Sequence, residues 1–167
     1  MKPVRKNMRL SSWCYSDNGA YFLTLCTDNR KYLFSEVVGR GILDAPLVEL
    51  TSYGNIVNDA LVYLQSHSSD ILLHKWVIMP NHVHILLSVC GETETFCGAS
   101  GKPRPTNERI PTFVSSLKRY TSRKAGFSLW QKQYFDRVVR NEQEFLHIWQ
   151  YIDNNPAAWL EDEYHLE

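Results

Sequence analysis

The sequence predicts an α+β fold, in which one mainly antiparallel sheet carries helices packed on one of its faces. Segments with strand-like alternation and segments with helical spacing are interleaved along the chain without a regular repeat. Two long apolar segments also flank the short turn at Pro80-Asn81, as expected of an antiparallel hairpin. The 167 residues, 44% of them hydrophobic, suit one domain over residues 1–167 that folds without a disulfide or a structural metal.

The first half of the chain contains one predicted helix among four predicted strands. Aromatic and β-branched residues predict a strand at 20–27 and a shorter one at 32–38. Apolar residues at helical spacing predict a helix over 52–67. Residues 70–79 and 82–90 are predicted to form the two strands of the hairpin.

The second half begins with a segment rich in Gly, Pro, Ser and Thr, 91–106, which predicts a flexible loop. A basic helix is expected over 107–125, a strand over 133–140 and a helix over 142–153, before an acidic tail at 161–167. This order of elements favours a ferredoxin-like arrangement.

Charge is segregated along a chain that is neutral overall, with 18 basic and 18 acidic residues. Residues 102–140 hold ten basic and two acidic residues, and residues 1–10 hold four basic residues and no acid. Such segments can bind phosphate locally, and interleaved aromatic residues could stack on unpaired bases, although a solvated basic face is the alternative. The predicted DNA-binding residues are Lys118, Arg119, Arg123, Lys124, Lys132, Arg137, Arg140, Arg5 and Arg9.

Cysteine usage and hydropathy predict a cytoplasmic protein. The four cysteines form no CxxC pair and match no zinc-binding spacing, as expected of reduced thiols. The basic start of the chain lacks the apolar segment of a signal peptide, and no apolar stretch approaches the roughly 20 residues that span a bilayer. No membrane association is therefore expected.

The triplet His82-Val83-His84 is the first candidate for chemistry. Side chains alternate along a strand, so the two histidines share one face while Val83 points to the other. Two imidazoles on one face can share a divalent ion, and setting them in an apolar segment is costly unless they have partners. The alternative is a pair of half-buried histidines without a metal.

The last predicted helix supplies the second candidate. His147, Tyr151 and Asn155 are spaced four residues apart and therefore lie on one helical face. A phenol there could act as a nucleophile, or it could be a core tyrosine whose hydroxyl bonds to the backbone. The role of His147 stays open: proton acceptor, extra ligand or bystander.

Three motifs resemble those of a known family. Residues 79–87 (MPNHVHILL) resemble the HUH motif of single-tyrosine transposases, in which a bulky apolar residue separates two histidines. Residues 130–141 (WQKQYFDRVVRN) and 151–156 (YIDNNP), with 19–24 (GAYFLT), resemble the REP-associated tyrosine transposases, which recognise short palindromic repeats. The motifs follow the family's order and spacing, and the matching segments run from about residue 9 to residue 159.

The resemblance implies a ferredoxin-like palm with Tyr151 as the nucleophile. It implies that His82, His84 and Asn155 hold a divalent metal ion, Mg²⁺ or Mn²⁺. The substrate would be single-stranded DNA with hairpins or palindromic repeats, acted on by a monomer or a homodimer.

The implied activity is metal-dependent cleavage and rejoining of DNA through a covalent 5′-phosphotyrosine, the reaction of an HUH single-tyrosine transposase. The main alternative is a binding module derived from a transposase, which would hold a DNA or RNA hairpin without cutting it. A metal-dependent hydrolase that uses water as the nucleophile is a further alternative, and it would leave no covalent adduct.

Overall fold

A four-stranded antiparallel sheet forms the centre of the structure, a computed structural model that describes residues 19–39, 46–90 and 109–165. The strands are β1 (Gly19–Cys26), β2 (Ser35–Val38), β3 (Leu47–Leu50), β4 (Ile71–Ile78), β5 (His82–Val89) and β6 (Phe135–Val139). The helices are α1 (Ser52–His67), α2 (Arg109–Ala125) and α3 (Glu142–Asn154), with single 3-10 turns at Asp28–Arg30 and Trp159–Glu161.

The central sheet has the order β4-β5-β1-β6, and every neighbouring pair in it is antiparallel. In the β1–β5 pairing, Thr24 lies opposite His84 and Cys26 lies opposite His82. The two short strands β2 and β3 form a separate antiparallel pair. The predicted α+β class and mainly antiparallel sheet are therefore confirmed.

The distribution of the helices differs from the prediction, because both faces of the sheet are covered. On one face, Val83, Ile85 and Leu87 of β5 join the core formed with α1 and α2. On the other face, Leu86 packs with Ile148 and Ile152 of α3. The apolar Leu86 shares its face with His82 and His84, so that face also needs a covering helix.

Side-chain caps fix where two of the helices begin. Thr51 accepts a hydrogen bond from the backbone N–H of Gly54 at the start of α1 (3.2 Å), and Asn141 accepts one from Glu144 at the start of α3 (2.8 Å). The predicted bounds of α1 are reproduced, whereas β3 was not predicted. The predicted loop 91–106 lies outside the described residues.

The turn between β4 and β5 is held tightly to the rest of the fold. The carbonyl of Pro80 accepts hydrogen bonds from the backbone N–H groups of Leu33 (2.8 Å) and Phe34 (3.0 Å), while Thr27 N–H donates to Asn81 (2.9 Å). These bonds position the first residues of β5, including His82. Among the described residues, no helix is both long and apolar enough to cross a membrane.

Candidate active site and metal centre

The two histidines of β5 form the centre of the candidate site. His82 and His84 are almost completely buried, with 0% and 1% of their surfaces exposed, and their ring centroids lie 4.5 Å apart. They point towards α3 because both occupy the face of β5 that this helix covers. The structure thus places both predicted residues in one buried pair.

The orientation of His82 is set by its neighbour Asn81. Nδ1 of His82 donates to the side-chain oxygen of Asn81 at 2.9 Å, and the Asn81 amide nitrogen donates to the carbonyl of Tyr164 at 2.7 Å. With its proton on Nδ1, His82 presents the lone pair of Nε2. This Nε2 atom is buried and has no hydrogen-bond partner among the described residues.

His84 is held from two sides. Its Nδ1 pairs with the hydroxyl of Thr24 on β1 at 2.8 Å, and its ring stacks on Phe22 at a centroid distance of 5.1 Å. Its Nε2 lies 3.4 Å from the hydroxyl of Tyr151 on α3. Thr24 therefore fixes the imidazole so that Nε2 faces the tyrosine.

The helix α3 brings Asn155 to the same place, at the residue that follows its last turn. Asn155 is buried, and its amide nitrogen donates to the carboxylate of Asp162 at 3.1 Å. Its side-chain oxygen has no partner within the described part of the chain. His147, on the same helix, is exposed, and its role stays a prediction.

Asp162 is a member of the site that sequence reasoning missed. One ligand atom from each of His82, His84 and Asp162 lies within 4.8 Å of the others, which is close enough for one cation to be shared. Asp162 belongs to the segment predicted only as an acidic tail. No spacing in the sequence links it to β5, because the chain returns to the sheet only after the 3-10 turn Trp159–Glu161.

Residues 159–165, here called the C-terminal wall, enclose the histidine pair. The ring of Tyr164 lies 4.6 Å from that of His82, and the ring of Trp159 lies 5.9 Å from it. Arg30 fastens the wall, since its guanidinium donates to the carbonyl of Glu163 at 3.2 Å and lies over the Tyr164 ring. The wall therefore helps to exclude solvent from His82.

Burial keeps both imidazoles in the form that binds metal. It lowers the pKa of His82 to about 4, against a smaller opposing effect of Asp162. Burial, followed by the charge of His82, holds the pKa of His84 well below its usual value. Burial also raises the pKa of Tyr151 to about 12, and Asp162 and Glu163 add to this shift. At neutral pH the site thus holds two neutral imidazoles and a protonated phenol.

The donor set fits a divalent cation. Two neutral imidazole nitrogens and the Asp162 carboxylate converge in one place, and the Asn155 side chain contacts both Asp162 and His82. Neither His82 Nε2 nor the Asn155 oxygen makes a well-formed hydrogen bond among the described residues. Unpartnered buried polar atoms are costly unless a ligand satisfies them. Mixed nitrogen and oxygen donors suit Mn²⁺ and, less well, Mg²⁺.

The predicted DNA-binding residues occupy different environments. The ammonium of Lys118 donates to the carbonyls of Gln131 (2.8 Å) and Gln133 (3.2 Å), and burial lowers its pKa to about 8. Arg137 forms an ion pair with Glu144. The remaining described candidates are exposed: Arg119, Arg123, Lys124, Lys132 and Arg140. Arg5 and Arg9 lie outside the described residues.

Comparison with known proteins identifies the fold. A REP-associated tyrosine transposase, solved bound to a REP hairpin, superimposes with a TM-score of 0.58 over 95% of this chain and 74% of its own, at 16% identity. A candidate transposase from Deinococcus radiodurans gives a TM-score of 0.45 at 21% identity, over 92% of this chain and 97% of its own. An uncharacterized protein of Haemophilus influenzae is 26% identical over 98% of this chain and 94% of its own length. No protein-family model matches the sequence.

The fold is therefore that of a REP-associated tyrosine transposase, as the sequence motifs led us to expect. At 16% identity the likeness establishes the architecture alone, and the chemistry depends on the residues of the site.

Proposed function

We propose that this protein cleaves and rejoins single-stranded DNA with Tyr151 as its nucleophile and a divalent metal ion as its cofactor. The observation that carries the proposal is the position of the Tyr151 hydroxyl, 3.4 Å from Nε2 of a buried histidine pair with a carboxylate beside it. A tyrosine directed at a metal-binding cluster is the arrangement expected for nucleophilic attack on a metal-bound phosphate.

In the proposed reaction, the Tyr151 oxygen attacks phosphorus while the bond from phosphorus to the 3′ oxygen breaks. The phenol proton is lost to solvent, and the leaving 3′ oxygen is released as a hydroxyl. The product is a 5′-phosphotyrosine linkage, and attack on it by a 3′-hydroxyl reverses the step and seals a strand. No ATP is needed, because the phosphodiester is conserved as a phosphotyrosine ester.

The metal ligands in this proposal are His82, His84 and Asn155, with Asp162 as a further donor. A bound divalent ion would polarise the scissile phosphate and stabilise its developing negative charge. Thr24 and Asn81 act on the reaction through the histidines, because their hydrogen bonds aim Nε2 of each ring into the cluster.

A DNA hairpin is the proposed substrate. The family resemblance of the motifs supports it, and so does the REP hairpin bound by the transposase that shares this fold. Exposed basic residues on α2 supply charge for the phosphate backbone.

The proposal is tested by a covalent-adduct gel. The protein is incubated with Mn²⁺ and labelled single-stranded DNA that carries hairpins from beside its own gene, then denatured and separated. Label should migrate with the protein, and it should be lost with chelator, in Tyr151→Phe and in His84→Ala. Both variants should keep most of their DNA binding. DNA binding without an adduct, in either metal, would instead indicate a hairpin-binding module that does not cut.

A further inference from the structure

A groove between α1 and α2 lies on the face of the sheet opposite Tyr151. Its volume is about 370 Å³, at the lower end of small-ligand sites. The floor is apolar, formed by Leu64 of α1 and Leu117 of α2. The walls and rim of the groove include Tyr63, Tyr120, Arg119 and Arg123.

Two tyrosine rings at this groove are unusually exposed. Tyr63 exposes 59% of its surface and Tyr120 exposes 44%. Tyr63 is stacked on His67 at a centroid distance of 4.0 Å, so its ring is already held as part of a flat platform. Exposed apolar rings that are grouped around a concave surface, rather than scattered singly, are a feature of binding sites.

The charge on the α2 side of the groove is positive, while α1 contributes one exposed acid, Asp59, one turn before Tyr63. The helix α2 contains no acidic residue, and Arg119 and Arg123 project one turn apart on its exposed side. Lys124 adds a third cation, with its ammonium 5.9 Å from the centroid of the Tyr120 ring. Such a surface attracts a polyanion, and the rings between the cations offer it something flat to stack on.

We propose that this groove binds unpaired nucleotides of the DNA substrate, with bases stacked on Tyr63 and Tyr120 and phosphates paired with Arg119 and Arg123. The inference rests on the proposed function for the identity of the substrate. Alternating aromatic and cationic side chains are the pattern that holds single strands without reading their sequence. Because the sheet separates the groove from Tyr151, the groove holds DNA away from the cleaved phosphate.

This separation predicts a specific kinetic signature. Loss of the groove tyrosines should weaken binding and raise KM, while the rate of adduct formation at saturating DNA stays within two-fold of the wild type. A change in that saturating rate without a change in binding would contradict a role in holding DNA.

The first experiment measures the affinity of the full chain for a fluorescent oligothymidylate by anisotropy. Each of Tyr63→Ala and Tyr120→Ala should weaken binding at least about five-fold, since stacking of one base contributes that much. Tyr63→Phe and Tyr120→Phe keep the ring and should stay near wild type. Val62→Ala is the matched control, because Val62 is 49% exposed on the same helix and does not line the groove.

The second experiment locates the contact directly. Oligonucleotides with 5-bromodeoxyuridine are cross-linked to the protein by light, and the modified peptides are identified by mass spectrometry. Cross-links at Tyr63 or Tyr120 support the groove. Cross-links confined to other segments, with unchanged affinity in both alanine variants, overturn it.

The two proposals fail in distinguishable ways. If groove variants lose affinity but the wild-type protein never forms an adduct, the groove stands and the nuclease proposal falls. If adducts form and the groove variants bind DNA normally, the nuclease proposal stands and the groove proposal falls. A change in oligomeric state in Tyr120→Ala without any change in DNA affinity would reassign the groove to contact between copies of the chain.

Discussion

The hydroxyl of Tyr151 lies 3.4 Å from Nε2 of His84, although the two residues are 67 positions apart and belong to elements on different layers of the fold. The contact exists because α3 packs on the sheet face that His82 and His84 share. A shift of one residue in the register of β5 would turn both histidines towards α1 and α2 and leave Tyr151 without a partner. Strand register therefore determines whether this site exists.

Removing the hydroxyl of Thr24 should weaken metal binding. Thr24→Val keeps the shape of the side chain but removes the hydroxyl that pairs with His84 Nδ1. Losing such a partner of a metal ligand reduces metal affinity by about 10- to 100-fold. Isothermal titration with Mn²⁺ measures the change. Thr121→Val is the control, because Thr121 is equally buried but its hydroxyl donates to the carbonyl of Leu117 and accepts from the indole N–H of Trp130, in the core on the other face of the sheet. Wild-type Mn²⁺ affinity in Thr24→Val would show that this bond does not orient a ligand.

The carboxylate of Asp162 is expected to contribute to the metal site. Asp162→Asn keeps the size of the side chain but removes its charge beside two imidazoles, so Mn²⁺ affinity should fall by about ten-fold or more. Electron paramagnetic resonance of free Mn²⁺ gives the bound fraction. Glu163→Gln removes a neighbouring charge outside the cluster and should change affinity much less. Equal losses in both variants would indicate only the general negative charge of the C-terminal wall.

Lys118 and Arg119 are adjacent in sequence but should respond differently to substitution. Lys118→Ala removes hydrogen bonds to the carbonyls of Gln131 and Gln133, so the free energy of unfolding should fall by about 2 kcal/mol. Arg119→Ala should leave stability unchanged. It should reduce the slope of log affinity for DNA against log salt concentration by about 0.7 per lost phosphate contact. Urea unfolding and binding at several salt concentrations separate the two effects. If Lys118→Ala keeps full stability but reduces the salt dependence of DNA binding, the Lys118 ammonium contacts a DNA phosphate instead.

Metal-free protein should lose stability as the pH falls from about 6.5 to about 4. Burial lowers the pKa of His82 to about 4, so in this window the unfolded chain binds more protons at His82 than the folded one. The free energy of unfolding therefore decreases on acidification. His82→Gln should make this part of the profile less steep, while the contribution of His84, whose pKa burial also lowers, remains. Urea unfolding in the presence of chelator measures it. An unchanged slope in His82→Gln would show that His82 does not cause the loss of stability in this window.

Local patterns predicted the elements that carry the site. The turn at Pro80-Asn81 and the alternation after it placed His82 and His84 on one face of a strand, as the structure has them. Helical spacing likewise placed Tyr151 and Asn155 on one face of α3. These features depend on neighbours within a few residues, so the sequence alone is informative about them.

The rest of the site depends on contacts between distant segments. Asp162 reaches the histidines because the C-terminal wall folds back over β5, and Asn81 aims His82 because a carbonyl of that wall, at Tyr164, holds its amide. The basic residue Lys118 looks like a phosphate contact in the sequence, yet its ammonium lies on backbone carbonyls of a later loop. No periodicity in the sequence encodes such pairings.

The most direct test is to locate the covalent linkage on the protein. The adduct formed with Mn²⁺ and hairpin DNA is digested with nuclease and protease, and the peptide that carries a 5′-linked nucleotide is sequenced by mass spectrometry. Two phenols lie at the site, since the Tyr164 ring is 6.0 Å and the Tyr151 ring 5.3 Å from that of His84. The nucleotide should be found on Tyr151. A nucleotide on Tyr164, or cleaved DNA with no nucleotide on the protein, would contradict the assignment of Tyr151 as the nucleophile.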